Sequence, residues 1–357
     1  MSGDVEFGVK GRLGVVALNR PKAINALTLD MVHAIRSQLE AWRDDDGVRV
    51  VLFEGRGPKG FCSGGDVRWV REQVLAGRSE DGFRFFADEY VMNALIAGYP
   101  KPVAALADGV VMGGGIGIAG HADFRFATTN VRYAMPEAAI GFVSDIGVNA
   151  ILARAPVHRA LLFLMTGMPV GAADALALGL ADCVIPVDRM AEVRTGIAAA
   201  ADSGSPDTAL VALMQSEGIE AGDPVFCAGA DLLEDEMGEE TAADIVEAVV
   251  DAAETEPELA AIAETLSGRS PSSLEAILQS HRAARTYGDL RPILELDLRL
   301  ARLMAARPDF AEGVRTVLVD KDNDPKWVPD VPRGQISAEI AAVSASWAAG
   351  RQSQLRT

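Results

Sequence analysis

The sequence predicts an α/β fold with parallel crossover connections, followed by a helical C-terminal region. Three observations predict it. In the first 190 or so of its 357 residues, short apolar runs alternate with segments of helical periodicity. The runs are rich in β-branched residues and end in Gly/Pro punctuation, as buried strands do. After Val187 the composition turns Ala- and acid-rich, with apolar positions recurring at helical spacing.

The elements follow in order. "RLGVVALNR" reads as a first strand, followed by "PKAINALT". Leu29, Val32, Ile35, Leu39 and Trp42 advance in steps of three and four, one stripe of a helix for which Thr28 is the N-cap. "VRVVLFEG" is a buried strand ended by "GRGPKG". Ser79 to Tyr99 reads as helix, broken by "YPKP"; "PVAALAD" and "DFRFAT" are two further strands. Residues 190–265 are helical with solvated charge, "SGRSPSS" punctuates, and Leu274 to Arg307 is strongly helical. "DFAEGVRTVLVDKDNDPKW" is expected to be polar and loop-rich with a short apolar centre. No repeat of solenoid period is present.

Composition removes several function classes. A formal net charge of −18 argues against nonspecific binding to nucleic acid or anionic membrane. No apolar run reaches the ~18 residues of a membrane span. "MSGDVEFGVKGRLG" has neither signal-peptide nor presequence character, so a cytoplasmic protein is expected. The 3 cysteines (Cys62, Cys183, Cys227) suggest neither a disulfide framework nor a zinc site, and Cys62 reads as a small residue in a tight turn. The 4 histidines, including His281, form no ligand-spaced pair and read as surface or satisfied core residues.

"VMGGGIGIAGHADF" holds a literal G-x-G-x-x-G from Gly115 to Gly120. A dinucleotide fingerprint opens its βαβ unit, whereas these glycines come third in the alternation and leave only a short helix before the next strand. Successive small residues at a helix start have another use: they let a substrate carbonyl approach backbone N–H groups that stabilise a developing oxyanion. A second glycine turn, "KGFCSGGDVRWV", follows the strand "VRVVLFEG" and can supply the second donor. No G-x-S-x-G nucleophile elbow occurs, which argues against a serine hydrolase.

"LNRPKAINALT", "FCSGGDVR", "KPVAALADGVVMGGGIGIAGHADFRFAT", "YAMPEAAIGFVSDIG" and "ALALGLADCVI" together resemble the enoyl-CoA hydratase/isomerase (crotonase) superfamily. "RSPSSLEAIL", "LELDLRLA" and "DFAEGVRTVLVDKDNDPKW" are similar to its 3-hydroxyisobutyryl-CoA hydrolase branch. The resemblance implies a crotonase-like core of repeated ββα units over residues 1–190, binding an acyl-CoA thioester. Residues 191–357 would be a helical extension packing on it. The implied oxyanion donors are the N–H groups of Gly65 and Gly114. Hydratases of the superfamily carry two glutamates; the first falls here on Gly117, and only the second, Glu137, is present. Water addition needs both hydroxide delivery and a proton for the α-carbon, so the loss argues against an ordinary hydratase.

The hydrolase branch places an aspartate where Asp145 stands, eight residues after Glu137. Glu137 would attack the thioester or activate a water that does, and Asp145 would orient the 3-hydroxyl or the water. Glu89 matches a substrate-contacting glutamate of that branch; Lys22 and Arg68 match cations near the CoA phosphates. The branch usually reads P-D-V-G-G where this chain has Ser144-Asp145-Ile146-Gly147-Val148, a change that bears on the acyl pocket. The implied activity is hydrolysis of a short 3-hydroxyacyl-CoA, with water as co-substrate and no metal or redox cofactor. The alternatives are a hydratase or isomerase on the same fold, or a non-catalytic acyl-CoA-binding member. Relatives commonly form homo-oligomers through their C-terminal helices, but a tail of this length can instead fold back over its own active site.

Overall fold

A computed structural model of the chain describes residues 3–234, 237, 241–329 and 334–354. Gly238–Glu240, the start of the acid-rich stretch, lie outside the described residues. The chain forms two compact units. The first comprises residues 1–66, 88–134 and 169–226; the second comprises residues 67–87, 135–168 and 227–357.

The first unit holds all nine strands found among the described residues: β1 (Val5–Lys10), β2 (Leu13–Leu18), β3 (Val50–Gly55), β4 (Gly60–Cys62), β5 (Val103–Ala107), β6 (Val110–Met112), β7 (Phe124–Thr128), β8 (Arg132–Ala134) and β9 (Cys183–Ile185). They make one sheet of order β1-β2-β3-β5-β7-β9 and a second of order β4-β6-β8. Only β1 and β2 pair antiparallel, through a tight turn at Gly11; the other ladders are parallel. Each of the pairs β3–β4, β5–β6 and β7–β8 gives one strand to each sheet, a repeat that generates two parallel ladders from one connection. The helix Met190–Asp202 packs Val193 and Ile197 against Val50, Leu52, Leu106 and Phe126. Burial on both faces explains why β3 and β5 read as unbroken apolar runs rather than alternating ones.

The first helix, α1 (Leu29–Arg43), buries Val32, Ile35, Leu39 and Trp42, and Thr28 Oγ1 accepts the Met31 N–H at 3.2 Å. The expected N-cap and stripe are both present. Strands β4, β6, β8 and β9 have three residues each, too short to leave a periodic signal.

The described residues of the second unit form helices and turns and no strand, with an irregular stretch over residues 321–329. The long C-terminal helical stretch is two helices, Pro271–Tyr287 and Leu290–Ala306, parted at Gly288, whose φ of +69° ends the first. The expected loop from Asp309 is in its first half helical: Pro308–Val314 continues into a π-helical turn, Arg315–Val319. Pro308 opens that helix, and Phe310 and Val314 are buried. Burial of these two side chains outweighed the polar composition around them.

Candidate active site

In the first unit, β4 ends at Cys62 and the chain turns through Ser63 and Gly64, where φ is +105°. The turn is held by a parallel bridge between Leu27 and Gly65. That bridge uses the N–H groups of Leu27, donating to Gly64 O at 2.8 Å, and Asp66, donating to Leu27 O at 2.9 Å. Its register therefore skips the Gly65 N–H. The loop carrying Leu27 is itself fixed by Asn25, which is buried and left-handed at φ +56°. Asn25 Nδ2 donates to the carbonyls of Arg56, Gly60 and Phe61 at 3.0–3.1 Å, and its Oδ1 accepts the Arg20 N–H at 2.8 Å.

Strand β6 leads into the short helix Gly114–Ala119. The four glycines of residues 113–117 are required for four separate reasons. Gly113 has φ +47° and ψ −122°, open to glycine. A Cβ at Gly114 would stand 2.1 Å from Glu89 Oε1. One at Gly115 would stand 2.6 Å from the Cys62 carbonyl oxygen, and one at Gly117 would meet both polar atoms of the Asn93 amide at 3.0 Å. Gly113 N–H donates to Ala134 O, and the helical ladder begins with Ile116 and Gly117 donating to Gly113 O. The Gly114 N–H precedes that ladder. A Cβ at Gly64 would lie 3.6 Å from Gly114 N, so the two glycine turns adjoin. A six-residue helix between strands of two different sheets is not a dinucleotide-binding βαβ turn.

Glu89 and Asn93 lie one turn apart on the helix Ser79–Ala97, so both side chains leave the same face. Glu89 is buried, and Asn93 is fully buried.

The second unit carries the other two candidate acids, Glu137 and Asp145. Glu137 is buried in the 3-10 turn Pro136–Ile140, whose end is closed by the left-handed Gly141. Asp145 is also buried, in a loop where Ile146 and Gly147 take φ of +57° and +73°. Positive φ at a β-branched residue is costly, and such strain persists only where the surroundings over-determine it. Those surroundings are a closed polar chain. Asp297 Oδ2 accepts the Gly147 N–H at 2.9 Å, Ser280 Oγ donates to Asp297 Oδ1 at 2.8 Å, and Asn149 Nδ2 donates to Ser280 Oγ at 3.1 Å and to Ser144 O at 3.0 Å. Burial, and secondarily the charge of Asp145, push the Asp297 carboxyl up to about 8.

Lys22 is exposed on the single turn Pro21–Ala23. Arg68 is exposed too, and its guanidinium donates to Leu318 O within the second unit. Cys62 is buried, donates to Asn25 O at 3.2 Å, and has its thiol pushed up to about 12 by burial, as a structural cysteine should. His281 corrects the expectation of a satisfied core residue: it is buried and neither ring nitrogen has a partner among the described residues. Burial pushes it down to about 4, so it is neutral. Among the described residues no three His, Cys, Asp or Glu side chains converge as metal ligands, and no helix is long and apolar enough to cross a membrane.

Asn25, Asn93 and Asp297 were not singled out from sequence. Asp297 was the most findable: in "LELDLRLA" it occupies the apolar stripe of Ile293, Leu296, Leu300 and Met304, where a charge is anomalous. Asn93 had one signal, its four-residue spacing from Glu89.

A family profile described as enoyl-CoA hydratase/isomerase matches residues 13–342. The chain is 34% identical over 351 residues to a Danio rerio protein named 3-hydroxyisobutyryl-CoA hydrolase, mitochondrial, covering 93% of this chain and 86% of that one. To the Homo sapiens protein of the same name it is 32% identical over 325 residues, covering 90% and 83%. Two solved structures superpose closely. A carnitinyl-CoA dehydratase from Mycobacterium thermoresistibile gives a TM-score of 0.87 at 35% identity, covering 96% of each chain. An enoyl-CoA hydratase from Rhodobacter sphaeroides gives 0.86 at 32%, covering 96% of this chain and 97% of that one. With its paired glycine turns, its two interleaved parallel ladders and a profile match over most of its length, the chain belongs to the enoyl-CoA hydratase/isomerase family.

Proposed function

We propose that this protein hydrolyses a short-chain 3-hydroxyacyl-CoA thioester, with 3-hydroxyisobutyryl-CoA as the substrate and valine breakdown as the setting. One observation carries the reading against hydration: position 117 is glycine, and the space its side chain would take is filled by the neutral amide of Asn93. A carboxylate side chain at 117 would have to displace that amide. Asp145 adds a buried carboxyl eight residues after Glu137, and the names of the Danio rerio and Homo sapiens relatives point the same way.

In this reading the N–H groups of Gly65 and Gly114, which the local hydrogen-bond registers leave over, receive the thioester oxygen as it gains charge. Loss of one such donor typically costs about 2.7–4 kcal/mol of transition-state stabilisation. Glu137 either attacks the carbonyl carbon, giving a mixed anhydride that water then opens, or takes a proton from the attacking water. In both routes the C–S bond breaks, the thiol of CoA leaves with a proton, and a carboxylate is formed. Asp145 holds the 3-hydroxyl or the water. Glu89, Lys22 and Arg68 are proposed substrate contacts, the last two for CoA phosphates. The steps use water and call for no metal or redox cofactor.

The test is release of free thiol from a panel of short acyl-CoA esters, with and without a 3-hydroxyl, by the wild-type protein and Glu137→Gln. Thiol release that the variant abolishes while its melting temperature holds is the expected result. Undiminished release by a folded Glu137→Gln protein sinks the assignment. The second reading, hydration, is favoured by the names of the two solved neighbours, a carnitinyl-CoA dehydratase and an enoyl-CoA hydratase. Loss of enoyl absorbance from crotonyl-CoA, without thiol release, would establish it instead.

A further inference from the structure

The Asn93 side chain presents a problem that the proposed chemistry does not solve. It is fully buried, and neither Nδ2 nor Oδ1 has a hydrogen-bond partner among the described residues. An amide left so costs stability, and an apolar residue of similar size would remove the cost. Its neighbourhood is nonetheless arranged to keep it. Gly117 is small where any side chain would meet the amide at 3.0 Å, just as Gly114 is small beside Glu89. Glu89 and Asn93 are four residues apart on one helix; Gly114 and Gly117 are three apart on another. The two pairs lie alongside, so the amide stands about one helical turn along from the Gly114 N–H.

From this arrangement we infer that the Asn93 amide is a specificity-determining contact for the 3-hydroxyl of the acyl group. The inference deepens the hydrolase reading and rests on it. An amide offers a donor and an acceptor side by side, and a hydroxyl needs both: its O–H donates to Oδ1 while its oxygen accepts from Nδ2. A carboxylate would only accept, and a hydrocarbon substituent would leave both buried amide atoms unpaired. Three residues of helix rise about 4.5 Å. That is the scale separating a carbonyl oxygen held at Gly114 from a substituent two carbons along the acyl chain. Being neutral, the amide takes no proton; it discriminates and does not catalyse. A buried polar pair that only the hydroxylated ester completes is the kind of site that rejects the analogue lacking the group.

The experiment compares kcat/KM for 3-hydroxyisobutyryl-CoA and isobutyryl-CoA in wild type, Asn93→Leu and Asn93→Ala, with melting temperatures for all three. Asn93→Leu is expected to lower kcat/KM on the hydroxylated ester about tenfold or more, and to change it less than about threefold on the other. Its melting temperature should hold or rise, since no bond within the chain is lost. Equal losses on both esters would make Asn93 a structural or water-holding residue and overturn the inference, as would no loss on either. Asn93→Ala gives the same comparison should the leucine fail to pack. If the wild type releases thiol from neither ester, the hydrolase reading fails separately. Calorimetric binding of the two non-hydrolysable thioether analogues then decides the Asn93 assignment. A hydroxyl-dependent affinity that Asn93→Leu removes sustains it, and equal affinities in wild type overturn it.

Discussion

Asp297 Oδ2 accepts the Gly147 N–H at 2.9 Å, so a carboxyl from the helix Leu290–Ala306 fixes the turn that follows Asp145. The two residues are 150 apart in sequence, and between them they hold Ile146 in a conformation its side chain disfavours. The cost of this clamp is a fully buried acid.

That cost should be visible as a pH dependence of stability. The folded carboxyl is raised to about 8, above the ~3.9 of an unfolded aspartate. The folded state therefore binds more protons between those values, and stability falls as pH rises toward 8, then levels. His281 contributes the opposite slope, but only between about 4 and its ordinary 6.5. Urea unfolding at pH 6.5 and 9 should show wild type losing stability across the interval and Asp297→Asn losing much less. Parallel losses in the two proteins would place the titration elsewhere.

Gly115→Ala should destabilise the protein without any catalytic role being involved. Its Cβ would fall 2.6 Å from the Cys62 carbonyl oxygen, a backbone atom that moves only with its strand. Overpacking of this kind costs about 1–3 kcal/mol, read from chemical denaturation midpoints. A variant as stable as wild type would mean that the helix can shift away from β4.

Asn25→Ala removes donors from three backbone carbonyls, an acceptor from Arg20 N–H, and a residue type that tolerates left-handed φ. Buried groups left unsatisfied cost about 1–3 kcal/mol each, and some will find water. A net loss of about 3 kcal/mol is expected, and activity measured well below the melting temperature should also fall, because the loop carries Leu27 and so the Gly65 register. Unchanged activity would separate the loop from the proposed oxyanion donor at Gly65.

Asn93 and Gly117 should be energetically coupled. Gly117→Ala alone presses a methyl against the amide, whereas in an Asn93→Ala background that space is open. A double-mutant cycle should give a coupling of about 0.5–3 kcal/mol in stability. Additive effects would show that the amide swings aside freely.

Cys62 should be inert in the native protein. Its thiol is buried and raised to about 12, so alkylation by iodoacetamide at pH 8 is expected only after unfolding, and Cys62→Ala should keep its thioester activity. Rapid native labelling at Cys62, mapped by peptide mass, would reopen it as a reactive group.

Local sequence alone determined a good deal here. The stripe of α1 and its Thr28 cap, the buried runs of β2, β3, β5 and β7, and the two glycine turns are all set by residues close in the chain. Periodicity, capping and turn chemistry act over a few positions, so they can be read there. Why Gly114 and Gly115 are glycine could not be read, because the excluding atoms belong to Glu89 and Cys62, distant in sequence. Nor could the clamp of Asp297 on Gly147, or the bare amide of Asn93 beside Gly117. Burial and hydrogen-bond satisfaction depend on what arrives from elsewhere in the chain. Only the folded structure turns a charge on an apolar stripe into a support, or a missing side chain into room for another.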